Sequence, residues 1–133
     1  MKKAIDEYSN SNKIYSVDTL PRKLFVNLMR NAIALVGNSS MGILEAPFYR
    51  LPVINIGNRQ KGRLNAGNVQ FVTYNETQIL AHLEKACMDM SYRDEISKIV
   101  NPFGNEHSAE NIRRVIESID IDDQKWHVKT KLC

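Results

Sequence analysis

The chain is poor in cysteine, proline and tryptophan, with two, four and one respectively, and it has no long uninterrupted apolar run. Each scarcity excludes something. Cys87 and Cys133 stand far apart, and neither belongs to a C-x-x-C pair or a Cys/His cluster, so no metal or redox motif is visible. Unpaired thiols suit a reducing compartment. No segment approaches the roughly 18 consecutive apolar residues of a membrane span, and Met1-Lys2-Lys3 leads into a polar stretch instead of an apolar leader. Eighteen basic residues against fifteen acidic ones leave +3, far from the dense basic stripe of a nucleic-acid binder. These absences predict a cytoplasmic protein with no membrane or nucleic-acid partner, no metal and no cofactor.

What is present is an ordinary globular composition, 43% apolar over 133 residues, enough for one core. The chain divides into a polar segment (1–12), a folded region (13–119) and a polar tail (120–133). Lys13-Ile14-Tyr15-Ser16-Val17 is rich in β-branched and aromatic residues and predicts a short strand. Pro21 occupies the favoured first position of a helix. Leu24, Phe25, Leu28, Met29 and Ala32 follow at helical spacing as one buried stripe. Ile33-Ala34-Leu35-Val36 and Pro52-Val53-Ile54-Asn55-Ile56 are continuous apolar runs, each ending at a glycine, and read as strands covered on both faces. Between them Ile43, Leu44, Ala46, Pro47 and Phe48 predict a helix that Pro47 must end or bend. Val69-Gln70-Phe71-Val72 is a third strand. Asn75, with Gln78 three residues on, predicts a capped helix start, and Ile79, Leu80, Leu83, Ala86 and Cys87 form that helix's inner face. Shorter helices are expected over Asp94–Val100 and Ala109–Ile119, the latter with Ile112, Val115, Ile116 and Ile119 on one side. Such alternation predicts an α/β domain with a parallel sheet, whose ligands sit beyond the carboxyl ends of the strands.

Two loops fall at those ends. Gly37-Asn38-Ser39-Ser40-Met41-Gly42 joins flexible backbone to two hydroxyls and the N–H groups of a following helix, a combination suited to phosphate oxygens. Glu45, one turn on, would repel a phosphate but can accept both hydroxyls of a ribose. From the residues alone another reading stays open, in which Asn38 and Ser39 only cap the helix and Glu45 is solvated. The second loop, Gly57-Asn58-Arg59-Gln60-Lys61-Gly62-Arg63, carries three cations that suit a diphosphate or a base edge, or that are simply solvated.

The string from Val36 to Pro47, continued through Pro52 to Arg63 as G-N-S-S…E-A-P…N-I-G-x-R-Q-x-G-R, resembles the C-terminal domain of hydrolysing UDP-N-acetylglucosamine 2-epimerases. The resemblance spans about residues 20–118, through Leu20-Pro21, Leu28-Met29-Arg30-Asn31-Ala32, Asn68-Val69 and Asn101-Pro102-Phe103-Gly104. It implies a partial Rossmann-like three-layer domain, the C-terminal half of a glycosyltransferase-B-like fold. It further implies that Ser39 and Ser40 hold the diphosphate of UDP or a UDP-sugar, Glu45 the ribose, Arg59 the diphosphate or uracil side, with Arg63 beside it and Gly42 permitting close packing where the helix starts. The family reaction inverts C2 of the sugar with loss of UDP, giving N-acetylmannosamine for sialic acid or surface polysaccharide synthesis. It needs acid and base groups from an N-terminal domain that has no counterpart here. His82, His107 and His127 do not replace them, so no catalytic residue is assigned. The expectation is a UDP-binding half. Its alternatives are one subunit of a split epimerase completed by a separate N-terminal half, and a non-catalytic nucleotide-binding module. An incomplete sheet leaves an unpaired edge, from which self-association is expected.

Overall fold

Three short apolar runs become three parallel strands: β1 (Leu35–Gly37), β2 (Val53–Ile56) and β3 (Val69–Val72), in the spatial order β1-β2-β3. They are seen in a computed structural model that describes residues 14–104 and 107–123. Val53 in the central strand pairs with Leu35 on one side and Val69 on the other, and Ile56 pairs with Val72. Successive strand residues face opposite sides, and the core divides accordingly. Val53 and Val69 join Met29, Ile43, Ala46 and Leu51 on one face, with Phe25, Leu35, Met41 and Tyr49 packed around them. Ile54 and Val72 join Ala86, Tyr92 and Ile96 on the other, with Ile56, Ile79 and Leu83. The first face is covered by α1 (Arg22–Asn31), α2 (Met41–Leu44) and a 3-10 turn (Ala46–Tyr49), the second by α3 (Glu76–Met88) and α4 (Met90–Ser97). This is a three-layer α/β arrangement with the parallel sheet that the alternation of elements predicts, consistent with the partial Rossmann-like architecture that the resemblance implies.

Several boundaries differ from the sequence reading for identifiable reasons. Ile14–Val17 form no strand and are exposed, with Tyr15 at 87%: β-branched residues make a strand only where an edge accepts them. Pro21 is the residue before α1, with extended ψ of 139°, and its carbonyl accepts the Phe25 N–H. Of the α1 stripe, Met29 is buried and Phe25 half-buried, but Leu24 and Leu28 are about half exposed. The first apolar run pairs two residues late, from Leu35 rather than Ile33. As an edge strand it is only partly covered, Val36 being exposed. Pro47 acts as expected: α2 stops at Leu44, and the chain continues as a 3-10 turn with Pro47 in its first turn. In α3 Leu80 is exposed while Ala86 is buried. Asn75 accepts the Gln78 N–H, but the Gln78 side chain reaches to the Thr73 N–H and hydroxyl instead of closing the reciprocal bond. The next helix starts four residues before the expected Asp94, because Asp89 accepts the Tyr92 N–H and caps it at Met90.

The described residues from Asn101 to Asp123 belong to a separate compact unit. Asn101 accepts the Phe103 N–H through its side chain, which makes the Asn-Pro-Phe-Gly turn. Helix α5 (Ser108–Ser118) carries the ion pairs Arg113–Glu117 and Arg114–Glu110 one turn apart. Its apolar row, read from sequence as an inner face, is exposed: Ile112, Val115 and Ile116 are 60%, 58% and 63% accessible. The tail residues Trp126, His127 and Cys133, and the segment 1–12, lie outside the described residues. Among the described residues no helix is long and apolar enough to cross a membrane, and no cluster of side chains could hold a metal ion.

Candidate functional site

Parallel strands deliver β1 and β2 to the same end of the sheet, and the serine loop and the basic loop leave from there. Each loop is shaped by a glycine and by buried amides. Gly57 has φ of 83°, a conformation that side chains disfavour, and an added Cβ would stand 2.5 Å from the Tyr74 hydroxyl. Asn55, buried in β2, donates to the Gly57 carbonyl at 3.1 Å and closes the turn. Gly42 is buried within α2, where a Cβ would meet Val53 Cγ1 at 2.8 Å, so α2 lies against β2 only because the side chain is missing. Asn68, fully buried, donates through its side chain to the carbonyls of Gly42 and Leu51 at 3.1 Å each, while its backbone carbonyl accepts the Val53 N–H. One residue, through its side chain and its backbone carbonyl, thus ties α2, the end of the 3-10 segment and the start of β2 together.

The decisive contact joins the two loops. Gln60 is only 3% exposed although it lies in a polar loop. Its Nε2 donates to the Asn38 carbonyl at 3.2 Å, and its Oε1 accepts Arg63 Nη1 at 2.8 Å. The basic loop is therefore latched onto the serine loop, with Arg63 oriented by the same side chain. A family model described as UDP-N-acetylglucosamine 2-epimerase matches residues 1–117, which carry both loops. The chain belongs to the UDP-N-acetylglucosamine 2-epimerase family.

Within that family it is similar to several curated proteins. It is 50% identical over 60 residues to the GDP/UDP-N,N'-diacetylbacillosamine 2-epimerase (hydrolyzing) of Campylobacter jejuni, covering 45% of this chain and 16% of that one. It is 28% identical to the UDP-N,N'-diacetylbacillosamine 2-epimerase (hydrolyzing) of Legionella pneumophila over 93% of this chain and 32% of that one. With the UDP-N-acetylglucosamine 2-epimerase of Neisseria meningitidis the identity is 34%, over 91% of this chain and 30% of the other. The chain thus spans no more than about a third of the length of these epimerases.

The residues singled out by sequence in this epimerase-family chain occupy distinct settings. Ser39 Oγ accepts the Met41 N–H at 3.3 Å, as a helix-capping hydroxyl does. Ser40 sits at the N-cap position of α2 with helical backbone and no side-chain cap bond; its carbonyl accepts the Ile43 and Leu44 N–H groups. Glu45 closes α2 and is not free: Arg22, at the start of α1, donates to its Oε2 at 2.6 Å, an exposed ion pair. The carboxylate raises the Arg22 guanidinium above its ordinary range, through the hydrogen bond first and its charge second. Arg59 is exposed and makes no hydrogen bond or ion pair among the described residues, whereas Arg63 is held by Gln60. Beside the serine loop lies a small apolar hollow of about 110 Å³ lined by Leu35, Val36, Gly37, Ser39, Met41 and Val53, with neither Glu45 nor the arginines on its wall. Sequence reasoning missed Arg22, Gln60 and Asn68. The Gln60 and Asn68 positions lie inside the segments that carry the family resemblance, which was the available signal; nothing local marked Arg22 as a partner 23 residues from Glu45.

Proposed function

We propose that this chain is the UDP-sugar-binding half of a hydrolysing UDP-N-acetylglucosamine 2-epimerase, with its nucleotide domain over 13–119 and its place of work in the cytoplasm. The observation that carries the reading is the Gln60 latch, which holds a hydroxyl-rich turn and a cationic loop together at the carboxyl end of adjacent parallel strands. In this reading the Ser39 and Ser40 hydroxyls take the diphosphate oxygens, the N–H groups of Met41 to Leu44 being engaged by Ser39 and Ser40, and Gly42 lets α2 start close to the sheet. Arg59 and Arg63 neutralise the negative charge that grows on UDP as it leaves the sugar, the usual work of preorganised cations. Glu45 takes the ribose hydroxyls through Oε1, its second oxygen being engaged by Arg22. The acid and base that act at C2 and at the leaving oxygen come from further polypeptide, as the short span relative to the family's enzymes requires of any active form.

A second reading, that a separate N-terminal half completes the enzyme in trans, is favoured by β1: among the described residues it pairs only with β2 and leaves Val36 exposed at its edge. The same edge would serve self-association. Calorimetric titration with UDP, and with GDP as the competing base, tests the site. UDP should bind, and Glu45→Ala should weaken it by about 1–3 kcal/mol, roughly 5- to 150-fold. Unchanged affinity in a folded Glu45→Ala chain would sink the ribose role. Absence of UDP binding by the folded chain, restored on adding an epimerase N-terminal half, would favour assembly in trans.

A further inference from the structure

The amino-terminal end of the sheet holds a cavity of about 310 Å³, lined by Arg30, Arg50 and Arg93 together with Tyr49, Ile33 and Ile96. We propose that this cavity is a second ligand site that takes a small phosphate-bearing molecule. Three arginines line it from three elements: Arg30 in the last turn of α1, Arg50 as the residue closing the 3-10 turn, and Arg93 in α4. No carboxylate lines the cavity, and none of the three arginines forms an ion pair among the described residues. Like charges gathered around one space repel, and a bound oxyanion that accepts forked hydrogen bonds from several guanidiniums relieves this. Arg30 alone is explained by the dipole of the helix it ends; Arg50 and Arg93 are not.

The backbone supplies an independent observation. Arg50 has φ of 51° and ψ of 40°, the one non-glycine residue with positive φ among the described residues. Its N–H closes the turn on the Ala46 and Pro47 carbonyls, a left-handed capping position where glycine is the unstrained choice. A long cation held there against backbone preference, and directed to a cavity, marks a position kept for its side chain. The volume of about 310 Å³ gives room for more than the phosphate itself and lies at the lower end of small-molecule sites. The site is separate from the nucleotide loops: Ala32, Ile33 and Pro52 on its wall precede β1 and β2, and three to four strand residues span about 10–13 Å to the opposite end.

The test is calorimetric titration of the full chain with inorganic phosphate and with glucose 6-phosphate as probes. Wild type and Lys23→Gln should bind phosphate equally at millimolar concentration or below, because Lys23 does not line the cavity. Arg93→Gln should weaken phosphate by about tenfold or more. Arg50→Gly should weaken it similarly while raising the melting temperature by roughly 2–5 °C, since it removes the left-handed strain. That opposite movement separates a binding residue from a structural one. Tighter binding of glucose 6-phosphate than of phosphate identifies a phosphorylated metabolite as the ligand, and equal binding identifies free phosphate. Phosphate affinity unmoved by both Arg93→Gln and Arg50→Gly, or absent from the folded wild-type chain, overturns the proposal. None of these outcomes depends on whether UDP binds.

Discussion

Replacing Gln60 with alanine cuts the latch between the two loops. It removes a neutral bond to the Asn38 carbonyl at 3.2 Å and a charge-assisted one from Arg63 at 2.8 Å. Net values are about 0.5–1.5 kcal/mol for the first and about 1.5–3 for the second. The Arg63 side chain is exposed and water replaces part of its bond, so the loss of folding stability should be nearer 1–2 kcal/mol than the sum. The larger consequence concerns binding. Without Gln60 the basic loop no longer has a fixed place relative to the serine loop, and a diphosphate spanning both must order them itself. UDP affinity should drop by about tenfold, or ~1.4 kcal/mol, measured by calorimetry beside urea unfolding. Gln60→Glu separates the two bonds. It keeps an acceptor for Arg63 but places a second oxygen against the Asn38 carbonyl, so it should lose loop docking while retaining Arg63. Amide exchange at Asn38–Ser40 should therefore accelerate in both variants. Unchanged UDP affinity and unchanged exchange in Gln60→Ala would refute the idea that the latch organises the site.

Three further perturbations probe the scaffold. Gly42→Ala drives a Cβ to 2.8 Å from Val53 and should cost about 1–3 kcal/mol of stability in thermal or urea unfolding, with Val53→Ala recovering part of it. Asn68→Leu removes both donors to the Gly42 and Leu51 carbonyls; stranding two buried acceptors costs about 1–3 kcal/mol each, so its unfolding midpoint should fall more than that of Gly42→Ala. Burial holds the Tyr92 phenol above its ordinary value of 10.0. The unfolded chain then ionises first, so stability present below pH 10 should fall as pH rises through and beyond that value. Tyr92→Phe should remove this tyrosine's share of the alkaline loss when unfolding is followed against pH.

The elements legible in the sequence are those whose signal is local. Val53-Ile54 reads as a strand because apolarity on successive residues needs cover on both faces, and it receives it; in the third strand Val69 and Val72 are buried while Phe71 stays exposed. Pro47 and Asn75 act through their own backbone neighbours, and they ended and started helices where expected. Burial was legible only where the covering partner is present. Leu24 and Leu28 on α1, and Ile112, Val115 and Ile116 on α5, sit at correct helical spacing and remain exposed: periodicity states which face is apolar, not what packs on it. Polar residues failed for the opposite reason. Asn55, Gln60 and Asn68 are buried because their amides satisfy backbone groups two, 22 and up to 26 residues away, and nothing local distinguishes such an amide from a solvated one.

The same distinction orders the candidate site by rigidity. Gly42 is fixed by its contact with Val53 and by Asn68, and Arg63 by Gln60; these positions need no ligand to hold them. Arg59 has no partner among the described residues, and Glu45 is engaged only by the exposed Arg22, an exchangeable pair. A nucleotide entering such a site would meet a preset phosphate cradle and would have to recruit Arg59 and Glu45 from solvent, losing side-chain freedom at both. Diphosphate recognition should therefore survive loss of either residue better than loss of the latch, whereas discrimination between nucleoside diphosphate and bare pyrophosphate should rest on Glu45. If Glu45→Ala weakened pyrophosphate as much as UDP, the carboxylate would be acting on the loop and not on the ribose, and the division of the site into a rigid cradle and a mobile ribose clasp would have to be given up.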